Sequence, residues 1–241
     1  MVRSMQVRSP SLTAIGFDAD DTLWQNEQFY RLTEQRFIDL LAEHADRADI
    51  AARLNEAERR NLKLYGFGIK GFTLSMVETA IELTGGRIPA GAISDILAAG
   101  RDMLVHPVET LPHVRETLEQ LAGNYRLILI TKGDLFDQER KLAASGLGDL
   151  FDAVEIVSDK NASTYHRIFS RHADGPAQSM MVGNSLKSDI VPAIEAGSWG
   201  VYVPHDLTWS FEHVEPPLGA PRFREVPHLG ELLALITKLD G

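Results

Sequence analysis

Leu12-Thr13-Ala14-Ile15-Gly16-Phe17-Asp18-Ala19-Asp20-Asp21-Thr22 is the stretch on which the fold turns. A short, largely apolar run stops abruptly at a cluster of carboxylates. That pattern reads as a buried strand feeding a polar loop. Four further runs follow the same grammar. Residues 126–130 end at Thr131-Lys132-Gly133-Asp134, and residues 154–157 at Ser158-Asp159-Lys160. Residues 179–182 end at Gly183-Asn184-Ser185, and residues 200–203 at Pro204. Helical spacing fills the gaps: 114–121, 135–144 closed by Ser145-Gly146, 165–171, and 189–196 capped by Gly197. Alternating strands and helices predict an α/β fold, a doubly wound parallel sheet with helices on both faces. Ligands of such sheets bind beyond the carboxyl ends of the strands, where the polar residues of this chain collect.

Residues 25–105 break the rhythm. They contain no good strand, and they carry apolar stripes at helical spacing: Phe29, Leu32, Phe37, Leu40 and Leu41, then 50–64, 72–83 and 92–104. This predicts an all-helical insert at 25–105 within a core of 11–24 plus 106–241. Gly66, Gly68 and Gly71 mark a flexible loop inside the insert, Gly85-Gly86 a turn, and Pro107 and Pro112 the return to the core. Residues 215–227 are Pro-rich and are expected to lie over the core. A terminal helix is expected at 228–239, and residues 1–10 read as a flexible tail rather than a secretory signal.

The chain has 241 residues, 24 Lys+Arg against 34 Asp+Glu, and a formal net charge of −10. That balance disfavours nucleic-acid polymers and anionic membrane surfaces as partners. Cysteine is absent, which excludes thiolate metal sites, disulfides and a Cys nucleophile. No apolar run approaches the ~18 residues of a membrane span. The eight histidines show no metal-ligand spacing; His205 and His213, which flank Trp209, read as structural or surface residues. No Gly-rich nucleotide loop of the Walker or Rossmann type is present. A cytoplasmic enzyme, monomeric or homodimeric, is the expectation.

Each polar cluster has an ordinary reading alone. Asp18 and Asp20 fit a solvated loop or a helix cap, Thr131 a turn, Lys160 a surface lysine, and Gly183-Asn184-Ser185 a turn. Their order and setting, each at the end of an apolar strand, resemble the four motifs of the haloacid dehalogenase-like hydrolase superfamily. Ser145-Gly146-Leu147 with Phe151-Asp152, and Ala196-Gly197, resemble its connecting sequences. The resemblance implies a Rossmann-like core with a helical cap inserted between the first two motifs. It implies Asp18 as nucleophile, forming an aspartyl-phosphate, and Asp20 as proton donor to the leaving group and then activator of water. Thr131, Lys132 and Lys160 are the implied phosphate-binding residues. Mg²⁺ is the implied cofactor, held by Asp18, Asp20 through its backbone carbonyl, and Asp189.

Two departures stand out. Many members of the superfamily have Gly where this chain has Asp21, and many have an acid where it has Asn184. Asn184 is therefore a candidate metal ligand through its carbonyl or a water, or else an orienter of Asp189. Asp20 argues against halide displacement, because a halide leaving group needs no proton. Trp24, at the expected hinge, is a substrate-specificity candidate or ordinary packing. Lys70, in the Gly-rich stretch 65–72, is a candidate for reaching a polar group of the substrate, against a plain helix connection. Asp18, Asp20, Asp21 and Asp189 outnumber Lys132 and Lys160, a deficit that one Mg²⁺ balances. The expected function is Mg²⁺-dependent hydrolysis of a small phosphorylated metabolite. A phosphomutase of the same superfamily and a catalytically degenerate binding or regulatory module are the alternatives.

Overall fold

The computed structural model of the protein describes residues 11–240 except 208, 210, 211 and 213. The tail expected at 1–10 and His213 lie outside the described residues. Strand β1 (Ala14–Phe17) is buried at every position and sits at the centre of the sheet. The other strands are β2 (Arg126–Lys132), β3 (Ala153–Val157), β4 (Ser179–Gly183), β5 (Trp199–Tyr202) and β6 (Phe223–Glu225). They form a six-stranded parallel sheet of order β3-β2-β1-β4-β5-β6. The chain winds outward from β1 through β2 to β3, then returns to β4 on the other side. The reversal falls between β1 and β4, the place where sheets of this kind open a crevice.

The alternation of strand side chains explains the two cores. Ile15, Phe17, Leu127, Leu129, Met180 and Val182 face α5 (Val114–Leu121) and α9 (Leu232–Asp240). Ala14, Ile128, Ile130 and Met181 face α7 (Ala162–His172) and α8 (Val191–Glu195). Gly16 lies on this second face. A Cβ there would come within 2.8 Å of Ile130 Cδ1 and 3.2 Å of the Phe169 ring, so the glycine lets α7 seat closely.

Between β1 and α5 run four helices, α1 (Glu27–Leu41), α2 (Arg47–Tyr65), α3 (Ile69–Leu83) and α4 (Ala90–Val105). They bury an apolar cluster of their own, with Phe37, Leu41, Ile50, Leu54, Phe72, Met76 and Ile96 among its members. Helix α6 (Leu135–Ser145) follows β2 directly.

Several boundaries differ from the sequence reading. The Gly-rich loop shrinks to Gly66–Gly68, because α3 already begins at Ile69 and takes in Lys70 and Gly71. The helix expected at 189–196 is a π-helical turn, Leu186–Ile190, followed by α8, which Pro192 opens without needing an amide hydrogen. The Pro-rich tail yields a sixth strand, too short and too Pro-flanked to show a strand pattern. Thr131 and Lys132 belong to β2 itself rather than to the loop after it. Phe169 is fully buried against the sheet. Phe169→Ala is expected to cost about 3–5 kcal/mol, read from urea unfolding.

Candidate active site

The crevice between β1 and β4 is the mouth of a cavity of about 160 Å³. Asp18, Asp20, Thr131, Lys132, Lys160, Asn184 and Asp189 all line it, so three strand ends and the loop beyond a fourth deliver them to one place. The Asp18 amide donates to the Val182 carbonyl at 2.9 Å, fixing the residue past β1 against β4. Lys160 lies between two carboxylates. Its ammonium donates to Asp18 Oδ1 and, at 2.7 Å, to Asp189 Oδ1. All three residues are buried. Asp189 Oδ2 accepts from the Ser185 amide at 3.0 Å. A Cβ on Gly183 would overlap the Asp189 carboxylate, so that motif glycine is dictated by the ion cluster.

Two carboxylates sharing one ammonium are short of positive charge. Burial, and next the Asp189 charge, push Asp18 up to about 7 against the pull of Lys160. Burial alone would lower the Lys160 pKa, but the two carboxylates raise it, so the lysine stays charged. Among the described residues, no three His, Cys, Asp or Glu side chains form a ready-made metal cluster. The oxygen donors lining the cavity here are the Asp18 and Asp189 carboxylates and the Asn184 amide oxygen, which accepts from Thr22 Oγ1 at 3.2 Å. They are all hard oxygens beside an uncompensated negative charge, a set that fits a hard divalent cation.

Asp20 has its own surroundings. Burial pushes its pKa up, but the Lys141 ammonium outweighs that, aided by hydrogen bonds from Lys141, Gln138 and Trp24, and holds it below the ordinary range. Lys141 Nζ lies 2.9 Å from Oδ1, Trp24 Nε1 2.8 Å from Oδ1, and Gln138 Nε2 2.9 Å from Oδ2. Gln138 also donates to Thr131 Oγ1 at 3.0 Å. Lys132 bridges Glu212 at 2.6 Å and Ser188 Oγ at 2.7 Å, with the Phe67 ring 4.3 Å from its nitrogen. Glu212 also accepts from Ser185 and Ser188. The Phe67 ring meets Trp209 edge-on at 6.0 Å.

Two sequence candidates lie off the cavity lining. Trp24 is fully buried, and its indole N–H donates to Asp20 Oδ1 at 2.8 Å. Lys70 does not line the cavity either. Helix α3 turns it onto Asp134 at 2.9 Å, tying the helical layer to the N-cap of α6. Asp21 explains its own departure from the superfamily pattern. It adopts φ 59°, where Gly is preferred and Asp is tolerated. Its carboxylate accepts from the amides of Asn26 at 2.9 Å and Glu27 at 3.0 Å, opening α1.

Gln138, Lys141 and Glu212 were not found from the sequence. Asp134, Asp137, Gln138 and Lys141 recur at one-face helical spacing immediately after β2, a signal that a search for polar periodicity detects. Glu212 carries no such signal, because it comes from an irregular loop. Removing Lys160 would leave two buried carboxylates facing each other. Lys160→Met is expected to cost about 3–5 kcal/mol at pH 8 in metal-free buffer. The loss should shrink at pH 6, because protonating one carboxylate removes the repulsion; urea unfolding at the two pH values checks this.

The family model of the haloacid dehalogenase-like hydrolases matches residues 12–197. A crystal structure of a hydrolase of that family from Xanthomonas campestris is 44% identical and superposes with a TM-score of 0.85, covering 95% of this chain and 92% of the other. The glyceraldehyde 3-phosphate phosphatase of Methanothermobacter thermautotrophicus is 27% identical over 85% of this chain and 91% of its own length. The pyrimidine 5′-nucleotidase YjjG of Escherichia coli is 26% identical over 93% and 97%. Bacillus subtilis YfnB, described as bound to magnesium, shares the fold with a TM-score of 0.64 at 16% identity, covering 94% of this chain and 99% of its own.

Proposed function

Because the chain belongs to the haloacid dehalogenase-like hydrolases, we propose that it is a Mg²⁺-dependent phosphatase of small phosphorylated metabolites, working through an aspartyl-phosphate at Asp18. The observation that carries this reading is the pairing of two carboxylates with different surroundings in one cavity. Asp18 shares the single ammonium of Lys160 with Asp189, and Asp20 has a separate hydrogen-bond set of its own. Relatives named as a phosphatase and a nucleotidase support it.

Asp18 Oδ attacks phosphorus as the bond to the leaving oxygen breaks, and the leaving alkoxide takes a proton from Asp20. Water then attacks the phosphoryl group while Asp20 accepts its proton, releasing phosphate and restoring Asp18. Lys141, Gln138 and Trp24 favour the carboxylate form of Asp20, the form suited to the second step. The acid form needed first arises when an anionic phosphate arrives and raises the Asp20 pKa. Thr131, Lys132 and Lys160 would bind the phosphoryl oxygens. Asp18, Asp189, Asn184 and the Asp20 carbonyl would hold Mg²⁺, which supplies charge neutralisation at the phosphate. Helices α1–α4, within residues 25–105, would act as a cap that keeps bulk water from the intermediate. The contacts of Lys70 with Asp134 and of Phe67 with Lys132 and Trp209 favour that arrangement.

An aryl phosphate assayed with and without Mg²⁺ tests the reading. Turnover should vanish with a chelator and in Asp18→Asn. Asp20→Asn should lower kcat by about 10²–10⁴ for an alkyl phosphate and by less for an aryl phosphate, whose phenolate leaves more readily without a proton. Full activity of Asp18→Asn would overturn the proposal.

A further inference from the structure

The cavity has two ends of unlike chemistry. Its cations, Lys132, Lys141 and Lys160, come from β2, α6 and the loop beyond β3. The opposite wall is built by α1, α2 and α3, and among its described lining residues none is Lys, Arg or His. That wall carries acceptors instead. Glu27 and Glu58 line it from α1 and α2. Asn61 commits its amide nitrogen to Ser75 Oγ at 3.1 Å and Glu78 at 2.8 Å, which leaves only its carbonyl oxygen. The Ser75 hydroxyl is spent on the Gly71 carbonyl at 2.9 Å. The Tyr30 hydroxyl remains as a donor, and the charges acting on it are carboxylates, Asp20, Asp137, Glu58 and Glu27.

Glu58 feels the same shortage. Burial, then the charges of Glu34 and Glu27, push it up to about 8. Glu27 is buried too and rises to about 7, although Arg31 lies 3.1 Å away.

A second observation is independent of the acidic wall. Gln138 is 3% exposed and lines the cavity, and its Oε1 is buried with no hydrogen-bond partner among the described residues. Its orientation is fixed by chemistry, because Nε2 faces Asp20 Oδ2 and the Lys132 carbonyl, both acceptors only, at 2.9 and 3.0 Å. A buried acceptor without a donor is costly until something supplies one.

We infer that the cavity selects phosphomonoesters whose alcohol part carries hydrogen-bond donors, hydroxyl or ammonium, and no second anionic group, with Glu58 enforcing the choice. This rests on the phosphatase reading of the same site. A hydroxyl or ammonium on the leaving alcohol would satisfy the acceptors of the helical wall. Once Glu58 and Glu27 are ionised, above about pH 8, a second carboxylate or phosphate would be desolvated against them and the Asn61 oxygen, with no Lys, Arg or His among the described lining residues of that wall to meet it.

The test compares kcat/KM at about pH 9, where Glu58 and Glu27 are carboxylates, for four probes with Mg²⁺: an aryl phosphate, glycerol phosphate, phosphoethanolamine and phosphoglycolate. Glycerol phosphate and phosphoethanolamine should each exceed phosphoglycolate by at least about 10-fold, and their mutual ratio tells hydroxyl from ammonium recognition. Glu58→Gln should narrow the gap, chiefly through a lower KM for phosphoglycolate. A thermal melt shows that the variant is folded, and the wild-type ratios carry the test without it. Phosphoglycolate turned over as well as the other alkyl phosphates, or unaltered ratios in folded Glu58→Gln, would overturn the inference while aryl phosphate turnover persists. Loss of aryl phosphate turnover in the wild type would overturn the phosphatase reading, and this inference with it.

Discussion

One buried ammonium, Lys160, lies between the carboxylates of Asp18 and Asp189, and the rest of the molecule is arranged to make that possible. Removing an ion from water costs several kcal/mol unless partners surround it closely. Here the three partners come from three places: the end of β1, the loop beyond β3 and the turn beyond β4. Only the sheet register brings them together. Phe17 pairs with Val182, which places Asp18 beside the start of the Gly183-Asn184-Ser185 turn. Gly183 has no Cβ because the Asp189 carboxylate needs the space, and the Ser185 amide completes that carboxylate's shell. The remaining imbalance of two anions to one cation is the physical reason to propose a divalent cation there.

Around this centre, other charges are paired before any substrate enters. Asp20 is held by Lys141, and Lys132 by Glu212. Such pairs keep each side chain in a defined place at the cavity wall, a form of preorganisation. The helical layer supplies the contrast. Its own apolar cluster lets it hold its shape, while its contacts with the core near the cavity are polar or aromatic, Lys70 to Asp134 and Phe67 to Trp209. The two sides thus differ in chemistry, with the cations of the cavity on one and hydrogen-bond acceptors on the other.

The sheet was legible because its strands are short, apolar and cut off sharply by polar residues. The strand β6 was not, since Phe223–Glu225 is three residues long and follows Pro216, Pro217 and Pro221. The positions of Asp18, Lys160 and Asp189 in the cavity were legible from their order along the chain. The contacts of Trp24 and Lys70 are not, because both depend on side-chain direction. Trp24 turns inward to Asp20, and Lys70 turns along α3 to Asp134. Glu212 and Glu58 reach the cavity through tertiary packing alone, which no local pattern reports. Asp21 looked like a departure and is a solution, since its carboxylate caps α1 from a backbone conformation usually given to Gly.

The central claim is that the phosphoryl group passes through Asp18. Borohydride reduction of acid-quenched enzyme during turnover, followed by peptide mass spectrometry, tests this most directly. An acyl phosphate is reduced to the alcohol, whereas a free carboxylate is untouched. The reduced residue is expected at position 18 and nowhere else, dependent on substrate. Reduction at another carboxylate, or turnover with no reducible intermediate at Asp18, would contradict it.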